Sequence, residues 1–269
     1  TTTLRTIVDD LRKAAADDRV RGVLIKPAGL TTPYWGKIQE IRDAIGAVRK
    51  SGKPVYAYLE YGADRDYYLA SAADKVFLLP SSPLDVTGVA TYQVFLRGTL
   101  DRIGAVADLH GIGQYKTAPN QFTEKGYTTA HREMDASLNR DLYDQIVRGI
   151  AERRGKSDAD IRRILDEGPF LPKEAVVAGL VDGLAYEDEV VQKLEAASGG
   201  GTTAFDGDDY GRVSPQSVGL GRGPRVAVVY VAGTIASGPS GFDPLDGAVI
   251  GSDTLIDDIR RANRDSSVR

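Results

Sequence analysis

Residues Thr6–Arg21 read TIVDDLRKAAADDRVR and Thr254–Arg269 read TLIDDIRRANRDSSVR, aligned without a gap at a constant offset of 248 residues. Thr6, Asp9, Asp10, Arg12, Ala14, Asp17, Val20 and Arg21 recur as Thr254, Asp257, Asp258, Arg260, Ala262, Asp265, Val268 and Arg269. Ile7, Val8, Leu11 and Lys13 are exchanged like for like with Leu255, Ile256, Ile259 and Arg261. A shared helical period explains the apolar matches alone. The repeated Asp pair, the Arg and the closing Val-Arg call for a duplicated unit. In the first copy the helix leads into GVLIK (Gly22–Lys26), a short apolar run that reads as a buried strand. The second copy stops where that strand would begin. Conversely, RVAVVYVAGTI (Arg225–Ile235) reads as a strand opening the second copy, with no counterpart ahead of Thr1. The expectation is a first domain complete apart from its first strand, and a second domain truncated soon after it starts.

Outward from this repeat, strands alternate with helices, the pattern of a parallel sheet with helical crossovers. A Gly/Pro/Thr loop follows GVLIK. Trp35, Ile38, Ile41, Ile45 and Val48 then share one helical face that ends at Ser51-Gly52-Lys53-Pro54. PVYAYLE (54–60) predicts a strand, DRDYYLASAAD (64–74) a short helix and KVFLLP (75–80) another strand. QVFLRGTLDRIG (93–104) reads as a helix and AVADLHG (105–111) as a strand. An irregular loop over 111–127 precedes a long helix over 129–154, and Ser157 caps the next one. EAVVAGLVDGL (174–184) gives helix, Gly turn and short strand, and a further helix covers 188–197. The fold class expected is α/β. Its domains would be 1–197, a Gly-rich linker over 198–224, and the beginning of a second domain over 225–269.

Composition narrows the chemistry. The net charge is −4, with no basic run or aromatic-basic stripe, so nucleic acid is not an expected partner. There is no Cys, which removes thiol nucleophiles, disulfides and thiolate metal sites. Only two His occur, His110 and His131, without metal-ligand spacing, and neither metal nor cofactor is expected. GIGQYK (111–116) lacks the GK[ST] ending of a phosphate loop, and the glycines at 219–223 precede a strand instead of following one. His110 with Asp108 offers a fragment of a triad without a Ser, so His110 reads as structural at a strand end, and His131 as solvated in a polar helix start. The longest apolar run, Val226–Gly233, is too short to span a bilayer.

A hydrolase on this chain therefore needs another base. Lysine can serve if its pKa falls from about 10.4 to near 7 or 8, and that drop corresponds to about 4 kcal/mol of preference for the neutral amine. Lys116, in QYKTAPNQF (114–122), lies in a poorly charged neighbourhood. Its residues alone leave open a surface lysine with a snorkelling stem.

Several segments together resemble one family. GQYKTAPNQF followed by TTAHREM, GKPVYAYLE with YYLASAADKVFLLP, EAVVAGLVDGL, and RVAVVYVAGTI with DDIRRANRD are similar to the signal peptide peptidase A family in its long form. That form has two tandem domains of the Clp protease and crotonase superfamily. The resemblance implies a Ser-Lys dyad that cuts peptide bonds, with Lys116 as the catalytic base and Lys125 as the fallback. The serine would belong to the second domain, beyond Arg269, and the fragment alone would be inactive. Arg65 stands where the first copy would carry that serine, with Asp66 and Tyr67 in place of oxyanion-hole glycines. The resemblance further implies signal peptides and other short apolar peptides as substrates, and a homotetramer. It places the protein at the outward face of the bacterial cytoplasmic membrane, held by an anchor outside this sequence. The alternatives are a crotonase-like acyl-CoA enzyme and a non-catalytic assembly scaffold.

Overall fold

Leu4, Ile7, Val8 and Leu11 fall on one stripe of a helix, and in the computed structural model that stripe is wound into α1 (Leu4–Ala16) and laid against the next helix. The structure describes residues 3–29, 35–221, 223–244 and 247–268. Part of the expected loop after the first strand, residues 30–34, lies outside them. After α1 come β1 (Val23–Ile25), α2 (Trp35–Lys50), β2 (Val55–Leu59), β3 (Gly62–Ala63), α3 (Asp64–Ala70), β4 (Lys75–Leu78) and β5 (Leu84–Asp85). The chain continues through α4 (Arg97–Arg102), α5 (Asn120–Thr123), α6 (Thr129–Arg154), α7 (Asp158–Asp166), α8 (Pro172–Val177), β6 (Gly183–Leu184), α9 (Glu187–Ala197) and α10 (Gly207–Tyr210). The chain divides into two compact units, Thr1–Val213 and Ser214–Arg269.

The main sheet of the first unit runs β1-β2-β4-β6, every neighbour parallel. The two-residue period of a strand sends alternate side chains to opposite faces. Val23, Ile25, Val55, Ala57, Leu59, Val76 and Leu78 enter the main core with α1, α2 and α3. Leu24, Tyr56, Tyr58, Phe77 and Leu79 point the other way, where they pack with Ala185 and with Val190 of α9. Both faces being covered explains why these strands read as unbroken apolar runs. A second parallel pair, β3 with β5, leads directly into the N-terminus of α3.

α6 is bounded where its sequence predicts. Thr128 caps it by accepting the His131 N–H at 3.2 Å, and Gly155 ends it at φ 61°. Ser157 caps α7 through the Asp160 N–H. After α8, Gly179 adopts φ 71°, a left-handed turn open to a residue without Cβ. That turn delivers Asp182, whose carboxylate accepts from the Val76 N–H at 2.8 Å, Lys75 Nζ at 3.1 Å and Arg154 Nη1 at 2.8 Å. One acidic side chain thus ties the start of β4 to the end of α6.

The polar stretch after α9 is fastened to the first unit over its first half. The ammonium of Lys13, a residue 3% exposed, donates to the carbonyls of Tyr210, Gly211 and Val213. The Tyr210 hydroxyl donates to Asp17.

In the second unit β7 (Thr234–Ala236), β8 (Gly241–Asp243) and β9 (Gly247–Gly251) form a sheet in the order β7-β9-β8, and α11 (Ser252–Arg264) follows. The sequence repeat is repeated in geometry, since shifting α1 by 248 residues reproduces the bounds of α11. Both helices stop at an Asp in extended backbone, Asp17 at ψ 110° and Asp265 at ψ 105°. Each carboxylate accepts the N–H two residues on, from Arg19 at 3.0 Å and from Ser267 at 2.9 Å. Each carbonyl accepts the N–H of the matched Val, Val20 and Val268, at 3.0 Å.

One expected strand does not form and another forms only at its end. Residues 105–111 have no ladder, and Val106 and Leu109 are exposed. Of the strand expected over 225–235, Arg225 makes an isolated bridge to Val268, residues 226–233 are unpaired, and strand structure begins only at Thr234. An apolar run becomes a strand by pairing its N–H and C=O groups with a neighbour, and neither segment has one among the described residues. The helix expected over 93–104 contracts to Arg97–Arg102.

Candidate active site

The loop that carries Lys116 is short on regular structure and is held by side chains. Gly113 turns at φ 84°, and the Lys116 N–H donates to its carbonyl at 3.2 Å. The Lys116 stem passes so close to Gly111 that a Cβ there would lie 3.3 Å from Lys116 Cγ. Downstream, the Thr117 carbonyl accepts the Asn120 N–H at 3.0 Å and starts α5.

Four ties fasten this loop to the first turns of α6. The Tyr115 hydroxyl donates to Glu133 at 3.0 Å, and the Thr117 hydroxyl points to Met134 Sδ at 3.7 Å. Asn120 Nδ2 lies 3.4 Å from His131 Nδ1, and the Tyr127 hydroxyl donates to Asp135 Oδ2 at 2.9 Å. On the other side the Leu96 N–H donates to the Gln121 carbonyl at 2.6 Å.

Lys116 itself is exposed, and among the described residues it has no ion-pair partner. Its surroundings are exposed and apolar, with Ile112 99% accessible and Leu109 and Tyr115 about half so. Lys125, the fallback base, is paired with Asp101 at 2.8 Å. That contact, with Arg97, holds the Asp101 carboxyl below its usual range.

At the end of β3 the first-copy turn opens into α3. Arg65 places its guanidinium over Trp35, 5.5 Å from the ring centroid. Asp66 and Tyr67 are buried, and the Tyr67 hydroxyl donates to the Leu180 carbonyl at 2.7 Å. Asp64 accepts the N–H groups of Thr87 at 3.1 Å and Gly88 at 2.9 Å. Burial pushes the Asp64 carboxyl up, against the lowering effect of those two donors. The turn has no hydroxyl nucleophile, and the adjacent amides it faces are already used by the protein's own carboxylate. Among the described residues no bond joins Lys116 to α3.

The two histidines depart from their sequence readings. His110 is not at a strand end but fully exposed, 3.1 Å from an equally exposed Asp108. His131 is not solvated but 3% exposed, wedged between Phe95, Tyr127 and Asp135. The misreading has a simple cause. The residues around His131 are polar, yet 131, 134 and 135 share a helix face at three- and four-residue spacing, and that face is the one the loop covers.

Comparison with known proteins places this arrangement. The chain is 29% identical over 253 residues to the chloroplastic serine protease SPPA of Arabidopsis thaliana, covering 92% of this chain and 37% of that protein. It is 28% identical over 276 residues to Protease 4 of Salmonella typhi, covering 98% and 43%. The chain thus spans about two fifths of the length of these relatives. Among solved structures it is similar to a 1510-N membrane-bound stomatin-specific protease in complex with a substrate peptide, at 16% identity and a TM-score of 0.41, covering 71% of this chain and 74% of that one. An enoyl-CoA hydratase/isomerase family member gives a TM-score of 0.40 at 16% identity, with 72% and 64% covered. The model of peptidase family S49 matches residues 47–199, more than half of the chain and the whole span from α2 through the Lys116 loop to α9, and the protein belongs to that family.

Proposed function

We propose that the full-length protein is a serine endopeptidase with a Ser-Lys dyad, in which this chain supplies the base, Lys116. The observation that carries the reading is a division within the first copy. The serine position holds Arg65, stacked on Trp35, while the Y-K-T-A loop with an unpaired lysine is fastened to α6 by four side chains. A copy that has lost its nucleophile but keeps a well-anchored amine fits a donor of the base to a serine elsewhere. By the 248-residue offset that serine lies beyond Arg269.

In the proposed reaction the neutral Lys116 amine takes the proton of the serine hydroxyl as its oxygen attacks the peptide carbonyl. Backbone N–H groups on the serine's own turn hold the oxyanion. The resulting ammonium gives its proton to the departing amine as the C–N bond breaks, leaving an acyl-enzyme. Water then attacks the ester, passes a proton to Lys116, and the serine leaves with that proton restored. An apolar peptide laid along the Lys116 loop would meet exposed apolar side chains there, those of Leu109, Ile112 and Tyr115. Short apolar peptides, signal peptides among them, are the proposed substrates. Assembly as a homotetramer and an outward-facing station at a bacterial membrane belong to the same proposal. No helix among the described residues is long and apolar enough to cross a membrane.

The test is Lys116→Ala in the full-length protein, assayed on a fluorogenic apolar peptide with circular dichroism as the folding control. The expected result is loss of peptidase activity in a folded protein, and labelling by a fluorophosphonate at a serine beyond residue 269 in the unsubstituted enzyme. A folded Lys116→Ala enzyme with undiminished turnover would rule the base out.

A further inference from the structure

We propose that His131 is a positioning residue for Lys116, acting as the buried acceptor that locks the lysine loop onto α6. This rests on the reading of Lys116 as the base. His131 lies in the first turn of α6 with its ring closed in on several sides. The Tyr127 ring meets it edge-on at 4.8 Å and the Phe95 ring at 5.9 Å, and those two rings meet each other at 5.3 Å. Nε2 faces Asp135 Oδ2 at 3.8 Å, beyond hydrogen-bond length, and the same oxygen takes the Tyr127 hydroxyl at 2.9 Å. Arg132 lies over the outer face of Tyr127. Nδ1 faces Asn120 Nδ2 at 3.4 Å. In the proposed clamp the amide nitrogen, which only donates, gives its hydrogen to Nδ1, and this requires the tautomer with its proton on Nε2, toward Asp135.

The consequence reaches Lys116 in two short steps. Asn120, held by His131 through its side chain, donates its backbone N–H to the Thr117 carbonyl. Thr117 is the next residue after Lys116, and its own hydroxyl rests on Met134. The loop is therefore anchored on both sides of the lysine, by Tyr115 to Glu133 before it and by Thr117 and Asn120 after it. The Thr117 and Asn120 anchors are both half-buried, and the Asn120 amide meets a ring that is itself 3% exposed. The Tyr115–Glu133 contact is exposed and, like other exposed polar contacts, holds weakly. A base must lie within hydrogen-bond reach of the hydroxyl it serves, and an error near 1 Å is costly in rate. A loop free of the His131 contact keeps its lysine but loses the lysine's address.

His131→Phe separates the acceptor from the packing, because the ring stays against Phe95 and Tyr127 while the Asn120 amide loses its partner. In the full-length enzyme the expected result is a kcat lower by about tenfold with KM within about twofold, the loss of roughly one hydrogen bond of loop order. Amide exchange over residues 114–124 rises by a similar factor. His131→Asn returns an acceptor near the Nδ1 position and recovers most of both. Asn120→Ala reproduces the His131→Phe effect, and the double variant is no worse than either single one. Asn120→Ala also keeps the proposal testable if His131→Phe does not fold. The inference is overturned if loop exchange and kcat stay at the unsubstituted level, if the loss falls on KM, or if the two substitutions add. Lys116→Ala is run beside them. Retained activity there removes the base assignment and the catalytic half of this inference with it. Unchanged exchange in His131→Phe, beside an inactive Lys116→Ala enzyme, removes the clamp alone.

Discussion

Replacing Lys13 by Met tests the claim that one buried ammonium fastens the chain over 210–213 to α1. Met keeps the length and apolar stem of the side chain and removes the charge. Lys13 Nζ donates to Tyr210 O at 3.3 Å, Gly211 O at 3.1 Å and Val213 O at 3.0 Å, and pairs with Asp10 at 2.9 Å. It also lies 5.3 Å from the Tyr210 ring centroid. Hydrogen bonds to a charged donor contribute about 1.5–3 kcal/mol each when taken singly. Burying the ammonium opposes that sum by several kcal/mol. The Gly211 and Val213 carbonyls sit where water can return, so the net loss for Lys13→Met is about 3 kcal/mol, short of the full cost of an orphaned buried ion pair. That corresponds to a fall in Tm of about 6–12 °C for a unit of this size. The sequence repeat supplies an internal control. Arg261 is the counterpart of Lys13, and its side chain is 80% exposed. Arg261→Met should cost less than about 0.5 kcal/mol, as an exposed substitution. Urea unfolding followed by the single Trp, Trp35, reads the first unit, scanning calorimetry compares both variants, and limited proteolysis reports release of residues 206–213. A loss under about 1 kcal/mol for Lys13→Met, or equal losses at the two positions, would refute the reasoning.

Other expectations follow from the same geometry. Asp17 is held well below the usual carboxylate range, chiefly by the Arg19 side chain. Its folded pKa being depressed, its contribution is present above the unfolded value, near 3.9, and is lost as pH falls below it. Asp17→Asn should therefore be less stable than the parent at pH 7, with the difference narrowing below about pH 4, as read by urea titrations at each pH. Tyr67→Phe removes the hydroxyl that bonds the Leu180 carbonyl and should cost about 1–2 kcal/mol, with no change in far-UV dichroism. Burial pushes the Tyr67 phenol up to about 12, so ultraviolet titration should find it protonated through the range where exposed tyrosines ionise. With Lys116→Ala and the His131 and Asn120 variants, these substitutions separate the lysine's chemistry from the scaffold that carries it.

The parts of the fold that could be read in the residues share one property. α6 runs from its Thr128 cap to Gly155, α7 starts at Ser157, and α8 turns at Gly179, all as the local residues predict. A helix closes its hydrogen bonds within its own segment, so caps and a 3.6-residue period nearly suffice to place it. β1, β2 and β4 were legible because both faces of their sheet are covered and the apolar runs are unbroken. AVADLHG and VAVVYVAG have the same texture and form no strand, since a strand's hydrogen bonds belong to a partner that its own residues do not name. The proposal of Lys116 comes from the Y-K-T-A segment. The burial of His131 could not be read, because a polar flank hides a residue covered by the nearby Tyr127 and by Phe95, which is distant in sequence and brought over it by the fold.

The residues by themselves determined the repeated helix, the α/β alternation and the chemical poverty, no Cys and two His, behind the proposal of a lysine base. These follow from identities and spacings along one chain, and α1 and α11 carry them with the same bounds and the same Asp turn. Tertiary structure alone decided that Lys13 is buried. Lys13 disappears under the chain at 210–213 while Arg261 stands in solvent, although the two occupy one position of the repeat. Burial is a property of what packs on a side chain, and equal sequences acquire unequal environments when different segments close over them.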